Sequence, residues 1–149
     1  MSTYQQHALD GASPVELVVA LYDGIIRFLY AAIAAVERGD VHGRRIAVKR
    51  ALAILIHLQA RLRMDIGGRP AQVLSEFYAS MFALILQASV GADPRRFEQV
   101  IGCVRNIRDA WRQVAVDATV NPEVSVAAPR VARFIQTAQE ADLPARWTA

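Results

Sequence analysis

Helix-start and helix-stop chemistry recurs at Ser13-Pro14-Val15-Glu16, Gly39-Asp40, Gly67-Gly68-Arg69-Pro70 and Asp93-Pro94, cutting the chain into long apolar segments on links of a few residues. Ser13 can accept from the backbone of a first turn, Pro14 suits the first helical position, and Glu16 can complete a capping box. A first helix is therefore predicted from Pro14 to about Glu37, with Gly39 as its stop. Asp40 caps a second helix to about Met64, and the Gly67-Gly68 pair breaks the chain. Pro70 opens a third helix ending near Gly91, and Asp93-Pro94 starts a fourth that runs to about Val116. Each would be ~35 Å long at 1.5 Å per residue. Long helices on short links pack antiparallel, so the predicted fold is all-α, an antiparallel up-down four-helix bundle.

Apolar side chains repeat at helical spacing within each segment. The stripes are Val18, Leu21, Ile25, Leu29, Ala32 and Val36; Val48, Ala51, Leu55, Leu58 and Leu62; Val73, Phe77, Met81, Leu84 and Ala88; and Phe97, Val100, Val104, Ile107, Trp111 and Val114. A length of 149 residues with 54% hydrophobic content supplies one such core. From Asp117 to Ala128 the pattern lapses. Beyond Pro129, Val131, Phe134, Ile135 and Ala138 recur at i, i+3, i+4 and i+7, an additional short C-terminal helix that cannot bury its apolar face alone. The chain thus divides into residues 1–116, a bundle with a polar N-terminal arm, and residues 117–149, a linker with the short helix.

Several functions are disfavoured. A net charge of +3 with 21% charged residues falls short of the clustered basicity that a phosphate backbone demands, so nucleic acid is not an expected partner. Cys103 is the sole cysteine, which excludes an intramolecular disulfide and suits a reducing compartment, where it reads as a buried, inert thiol. The N-terminus has no basic stretch followed by an apolar one, as a secretory signal would. Glu16, Asp23 and Arg27 interrupt the most apolar window, Val15 to Val36, which reads as a buried helix and not a membrane insertion. The expected location is the cytosol. His7, His42 and His57 stand at no metal-ligand spacing, and the glycine pair lacks the Lys-Ser/Thr of a phosphate loop. No catalytic residue, metal or cofactor is expected.

Two polar features inside the stripes call for structural partners. Arg108 lies between Val104 and Trp111 and is predicted to snorkel past Trp111 or to pair with a carboxylate, Asp23 being the candidate. Gly24 follows Asp23 inside a helix, where glycine costs about 1 kcal/mol relative to alanine, so a closely approaching neighbour backbone is expected there.

The informative anomaly is surplus apolar surface. The first helix is apolar over roughly 220°, because Val19, Ile26 and Ile33 extend one flank of its stripe and Leu17 and Phe28 the other, whereas ~100° to 150° serves a bundle. In the third helix Tyr78, Phe82 and Leu86 form an i, i+4, i+8 line rotated away from Phe77 and Leu84. The C-terminal helix or the N-terminal arm can cover these side chains at rest, and an amphipathic segment of another chain can dock on them. Pairing of two copies, a homodimer, is a third use of the same faces.

In this order the pieces resemble the flagellar secretion chaperone family FliS: Tyr4-Gln5-Gln6, Ala12-Ser13-Pro14, Leu21-Tyr22-Asp23-Gly24, Gly67-Gly68, Tyr78 with Met81, and Ile107-Arg108-Asp109-Ala110-Trp111. The resemblance covers about residues 4 to 116. It implies an antiparallel bundle that binds the disordered C-terminal segment of flagellin in the cytosol, prevents its premature polymerisation and assists its delivery to a flagellar export gate component. It also implies an N-terminal arm whose Tyr4 covers a cleft when flagellin is absent. Candidate partner-binding residues are Tyr4, Ile26, Ile33, Tyr78, Phe82 and Leu86, and Ser13, Pro14, Asp23, Gly24, Arg108 and Trp111 form the structural motif. Ala79 and Ala83 stand where the family more often carries charge, and the tail from Asp117 has no family role that transfers.

Overall fold

The structure is a computed structural model that describes residues 13–62 and 67–120. Among these residues every regular element is a helix: α1 (Pro14–Glu37), α2 (Val41–Ala60), α3 (Gly68–Val90) and α4 (Pro94–Val120). The predicted caps form. Ser13 Oγ accepts from the Glu16 amide at 3.1 Å while Glu16 Oε2 accepts from the Ser13 amide at 3.0 Å, with Pro14 opening the first turn. Asp40 Oδ1 accepts from the Gly43 amide at 2.8 Å, and Asp93 Oδ1 from the Arg95 amide at 3.0 Å. Gly39 and Gly68 take φ of +70° and +56°, the left-handed backbone that a side chain makes costly, so both turns need their glycine. Tyr4 and the short C-terminal helix expected around Val131 to Ala138 lie outside the described residues.

Helix bounds differ from expectation at three ends. α3 begins at Gly68, two residues before the Pro70 expected to open it, so the second glycine of the pair belongs to the helix. α4 continues to Val120, past Val116, because a lapse in apolar pattern does not stop a helix. α2 closes at Ala60 instead of near Met64: the Arg61 and Leu62 amides turn back to Leu58 and Gln59, each at 3.2 Å, in the tight bonds of a final 3₁₀ turn.

α1 packs most extensively on α2 and α4, and α3 completes the ring by touching α2 and α4. The order is antiparallel: Tyr30 of α1 meets Arg105 of α4, while Asp23, earlier in α1, meets Arg108 and Arg112, later in α4. Between the helices lies a dry core in which Tyr22, Ile25, Leu29, Met81, Ile85, Phe97, Val100, Val104 and Ile107 are all but inaccessible. Cys103 is half-buried beside it.

Ile26 and Ile33 are part of this core, 7% and 8% exposed, so they are not the surplus surface the helical wheel suggests. α1 is flanked by two helices, and most of its wide apolar arc is used within the bundle. Tyr78 is likewise buried, at 3%. An i, i+4, i+8 line advances about 40° around a helix at each step, because four residues turn 400°. Tyr78, Phe82 and Leu86 therefore pass from buried through half-buried to exposed, instead of presenting one outward face. At Gly24 an added Cβ would stand 3.0 Å from Ile54 Cδ1, so the close neighbour is a side chain of α2 and not a backbone.

By length and composition α1 and α3 are each apolar enough to cross a membrane, with hydropathies of 1.8 and 1.5, and the charges within α1 do not bring it below that level. In the fold, 39% of each window is buried inside the bundle.

Candidate functional site

On α2, Leu52, Ala53, Ile56 and Ala60 fall on one side at helical spacing, as do Ala79, Phe82 and Leu86 on α3. The two lines border an open apolar groove with two depressions. One, of about 430 Å³, is lined by Leu55, Ile56, Gln59, Ala60, Tyr78, Ala79 and Phe82. The other, of about 460 Å³, is lined by Val48, Leu52, Ala53, Ile56, Phe82 and Leu86, with Arg45, Lys49 and Ser89 at its rim. Ile56 and Phe82 belong to both, which makes the groove continuous. Alanines at 53, 60 and 79 leave it wide. Ile56 is 58% and Leu86 42% exposed, an arrangement that leaves large aliphatic surface in water opposite the core side of each helix.

The groove has unlike ends. Near one, Gln59 Nε2 donates to Ser75 Oγ and ties α2 to α3. Near the other stand Arg45 and Lys49, on a helix that carries Arg44, Arg45, Lys49 and Arg50 and no Asp or Glu from Val41 to Ala60. On the face toward α1, the Arg27 and Arg50 guanidinium groups stack on the Phe28 ring at 5.3 and 5.8 Å from its centroid.

Beneath the groove, the hydroxyls of Tyr22 and Tyr78 share a buried hydrogen bond of 2.6 Å that joins α1 to α3 across the bundle. Burial pushes Tyr78 up from 10.0 to about 12, against a smaller opposing effect of the bond to Tyr22. Tyr22 is raised well above its ordinary value, first by burial and then by Tyr78. The Trp111 indole N–H, buried with no well-formed hydrogen bond among the described residues, lies near the Tyr22 hydroxyl and opposes that rise. Both phenols hold their protons more tightly folded than unfolded, so this contribution is complete below about pH 10 and is lost as pH climbs toward 12. The unfolding free energy measured with urea is expected to fall across that window, by about 1.4 kcal/mol per pH unit for each tyrosine that must ionise. A double Tyr22→Phe, Tyr78→Phe variant should lose stability less steeply there; an identical alkaline slope would contradict the assignment.

Arg108 pairs with Asp23 as expected. Its Nη1 lies 2.9 Å from Asp23 Oδ1, its Nε and Nη2 both lie 3.1 Å from Asp109 Oδ1, and Arg112 adds a longer contact of 3.4 Å to Asp23 Oδ2. Burial works against the guanidinium charge, and the hydrogen bonds from Asp23 and Asp109 outweigh it. Asp23 remains 41% exposed, so Arg108→Ala is expected to cost about 1 to 2 kcal/mol by urea denaturation, less than a sealed pair would. Arg108→Lys should recover only part, because one ammonium cannot reproduce the planar fork across two carboxylates.

The family described as Flagellar protein FliS matches residues 1–118 of this chain, a span that contains the groove, the tyrosine pair and the Asp23–Arg108 cluster. The chain belongs to the FliS family. The flagellar secretion chaperone FliS of Salmonella typhimurium is 36% identical over 115 residues, 76% of this chain and 85% of that protein. Its namesake in Campylobacter jejuni is 34% identical over 119 residues, 80% of this chain and 93% of that protein. The Bacillus subtilis protein of the same name is 30% identical over 112 residues, covering 75% and 83%. In this FliS-family bundle the groove gathers Tyr78, Phe82 and Leu86 from the candidate partner-binding set, while Ile26 and Ile33 sit in the core. Ser13 and Pro14 begin α1, Gly24 lies under Ile54, and Trp111 packs against the core. Ile56 is the residue that sequence reasoning missed. Its signal was present in Ala53, Ile56 and Ala60 at i, i+3 and i+7, a second apolar line on a helix whose core stripe is the more conspicuous.

Proposed function

We propose that this FliS-family chain is a cytosolic flagellar secretion chaperone that holds the disordered C-terminal segment of flagellin in the α2–α3 groove. So held, flagellin does not polymerise early, and the complex is passed to a component of the flagellar export gate. The observation that supports this reading is the open apolar groove, with Ile56 and Leu86 in water on either side, in a bundle of this family. Holding a chain calls for no bond making or breaking. A guest helix laid on the groove would find apolar seats at Ile56, Phe82 and Leu86 and small residues between them. Ordering such a guest consumes about 2 to 5 kcal/mol of the gross interaction, so a segment that spreads its anchors along the whole groove is favoured over a single side chain in one depression.

Calorimetric titration of the full-length protein with a flagellin C-terminal peptide is expected to give binding at micromolar concentration or tighter. No heat and no chemical-shift change at the groove would refute the reading. The exposed Ile56–Leu86 face also suits a second copy of the chain, and light scattering separates the two: a stable dimer unaffected by the peptide supports self-pairing, and a monomer that binds the peptide supports the chaperone.

A further inference from the structure

We propose that Arg45 and Lys49 select the guest of the α2–α3 groove by charge. The segment held there is then an acidic amphipathic helix with two carboxylates four residues apart, seven and eleven residues from the apolar side chain seated between Ile56 and Phe82. The inference rests on the groove being the guest site and narrows what that guest can be.

The two cations belong to the groove wall itself. Arg45 and Lys49 precede Ile56 by eleven and seven residues, which places them with Leu52 and Ile56 within an arc of about 60° on α2. All four line the same depression, and Ser89 adds a hydroxyl from the α3 side. Both cations are exposed, and among the described residues neither is held in an ion pair. Like charges four residues apart on a helix repel, so an anion set against both relieves that repulsion as well as pairing with each.

The surrounding charges leave the pair unopposed. At the Gln59 end, Arg61 follows Leu52 by nine residues, about 180° round α2, while Arg69 and Glu76 stand about 140° and 120° round α3 from Phe82. These two cations and one carboxylate line neither depression, and their sum is positive. At the Arg45 end, Asp40 is held by Arg38 at 3.1 Å and Asp93 lies 3.6 Å from Arg96, while Glu37 and Glu98 belong to α1 and α4. Of the other α2 cations, Arg44 has a buried Nε and Arg50 stacks on Phe28. Across the groove from Arg45 and Lys49 stand Leu86 and Ser89, which carry no charge.

The spacing of the guest follows from helix geometry. Along α2, Lys49 and Arg45 stand about 10 and 16 Å from Ile56. A guest helix running alongside rises by the same amount per residue, so its seventh and eleventh residues from the anchor come level with them. Both positions also return to within about 20° of the anchor's own face. Carboxylates there meet the ammonium and the guanidinium, and lysines there would meet like charges.

The test titrates the full-length protein and an Arg45→Glu, Lys49→Glu variant by calorimetry. The probes are two synthetic amphipathic peptides of about 20 residues, long enough to form a helix, identical except for Glu or Lys at the seventh and eleventh positions from a central leucine. A flagellin C-terminal peptide is titrated beside them. The melting midpoint checks that the variant is folded, and both substituted side chains are exposed. The unsubstituted protein is expected to bind the Glu peptide about tenfold more tightly than the Lys peptide, and the variant to reverse that order. Equal affinity for the two peptides, a preference that the variant keeps, or binding of neither overturns the proposal. If the flagellin peptide binds both proteins alike and the synthetic pair shows no preference, charge selection falls and the flagellin reading stands. If the Glu preference appears and reverses while the flagellin peptide binds neither protein, charge selection stands and the flagellin reading fails.

Discussion

Ile56→Asp combined with Leu86→Asp is expected to weaken binding of a flagellin C-terminal peptide at least a hundredfold while leaving the bundle folded. Both side chains are largely in water, 58% and 42% exposed, so in the free protein each aspartate keeps its hydration and the change in stability should stay within about 1 kcal/mol. With a guest in place the same carboxylates would be pressed against apolar surface without partners, a penalty of at least about 1.4 kcal/mol each, and two such penalties make about 2.7 kcal/mol, or a hundredfold. Phe82 is the poorer choice for this experiment because it packs against the core and its loss would confound binding with folding. Calorimetry and urea denaturation on the same sample decide the matter. Loss of fold together with binding would mean that Ile56 and Leu86 are not groove residues at all.

Phe97→Ala is expected to do the reverse, lowering stability by about 3 to 5 kcal/mol, the usual range for emptying a buried aromatic site. Phe97 is inaccessible to solvent and lies within the core cluster with Val100, Ile101 and Val104, where the surrounding helices cannot collapse freely into the space. Set against a total of about 5 to 15 kcal/mol for a domain of this kind, that is a large fraction of the stability. Peptide affinity measured well below the unfolding transition should change little, because Phe97 lines neither depression of the groove. A drop in the urea midpoint with an unchanged slope would support this account, and a midpoint near that of the unsubstituted protein would contradict it.

Sequence reasoning reached the architecture because helix ends are written locally. Ser13 with Glu16, the Asp40 cap and Gly39 each act within a few residues and serve as read, while Gly68 marks the turn but already belongs to α3. The Asp23–Arg108 pair was legible for a related reason: a guanidinium inside an apolar stripe has few alternatives to a carboxylate on the facing helix. Burial was less legible, since a helical wheel tells which directions are apolar but not how many neighbours stand in them. Ile26 and Ile33 face helices that the wheel does not contain, and Tyr78 turns inward to Tyr22 although it shares a line with the exposed Leu86. Ile56 was overlooked because α2 already had a satisfactory core stripe in Val48, Ala51, Leu55 and Leu58, and its outward line drew no notice.

The absence of any carboxylate along α2 has a kinetic side. If the groove holds a guest as proposed, a long-range field from Arg45, Lys49 and their neighbours would act on any acidic part of it before apolar contact exists, whereas release would be governed by peeling it from Ile56, Phe82 and Leu86. For such a guest, added salt should slow capture far more than it hastens escape, and the Arg45–Lys49 end would be where its acidic part lands first.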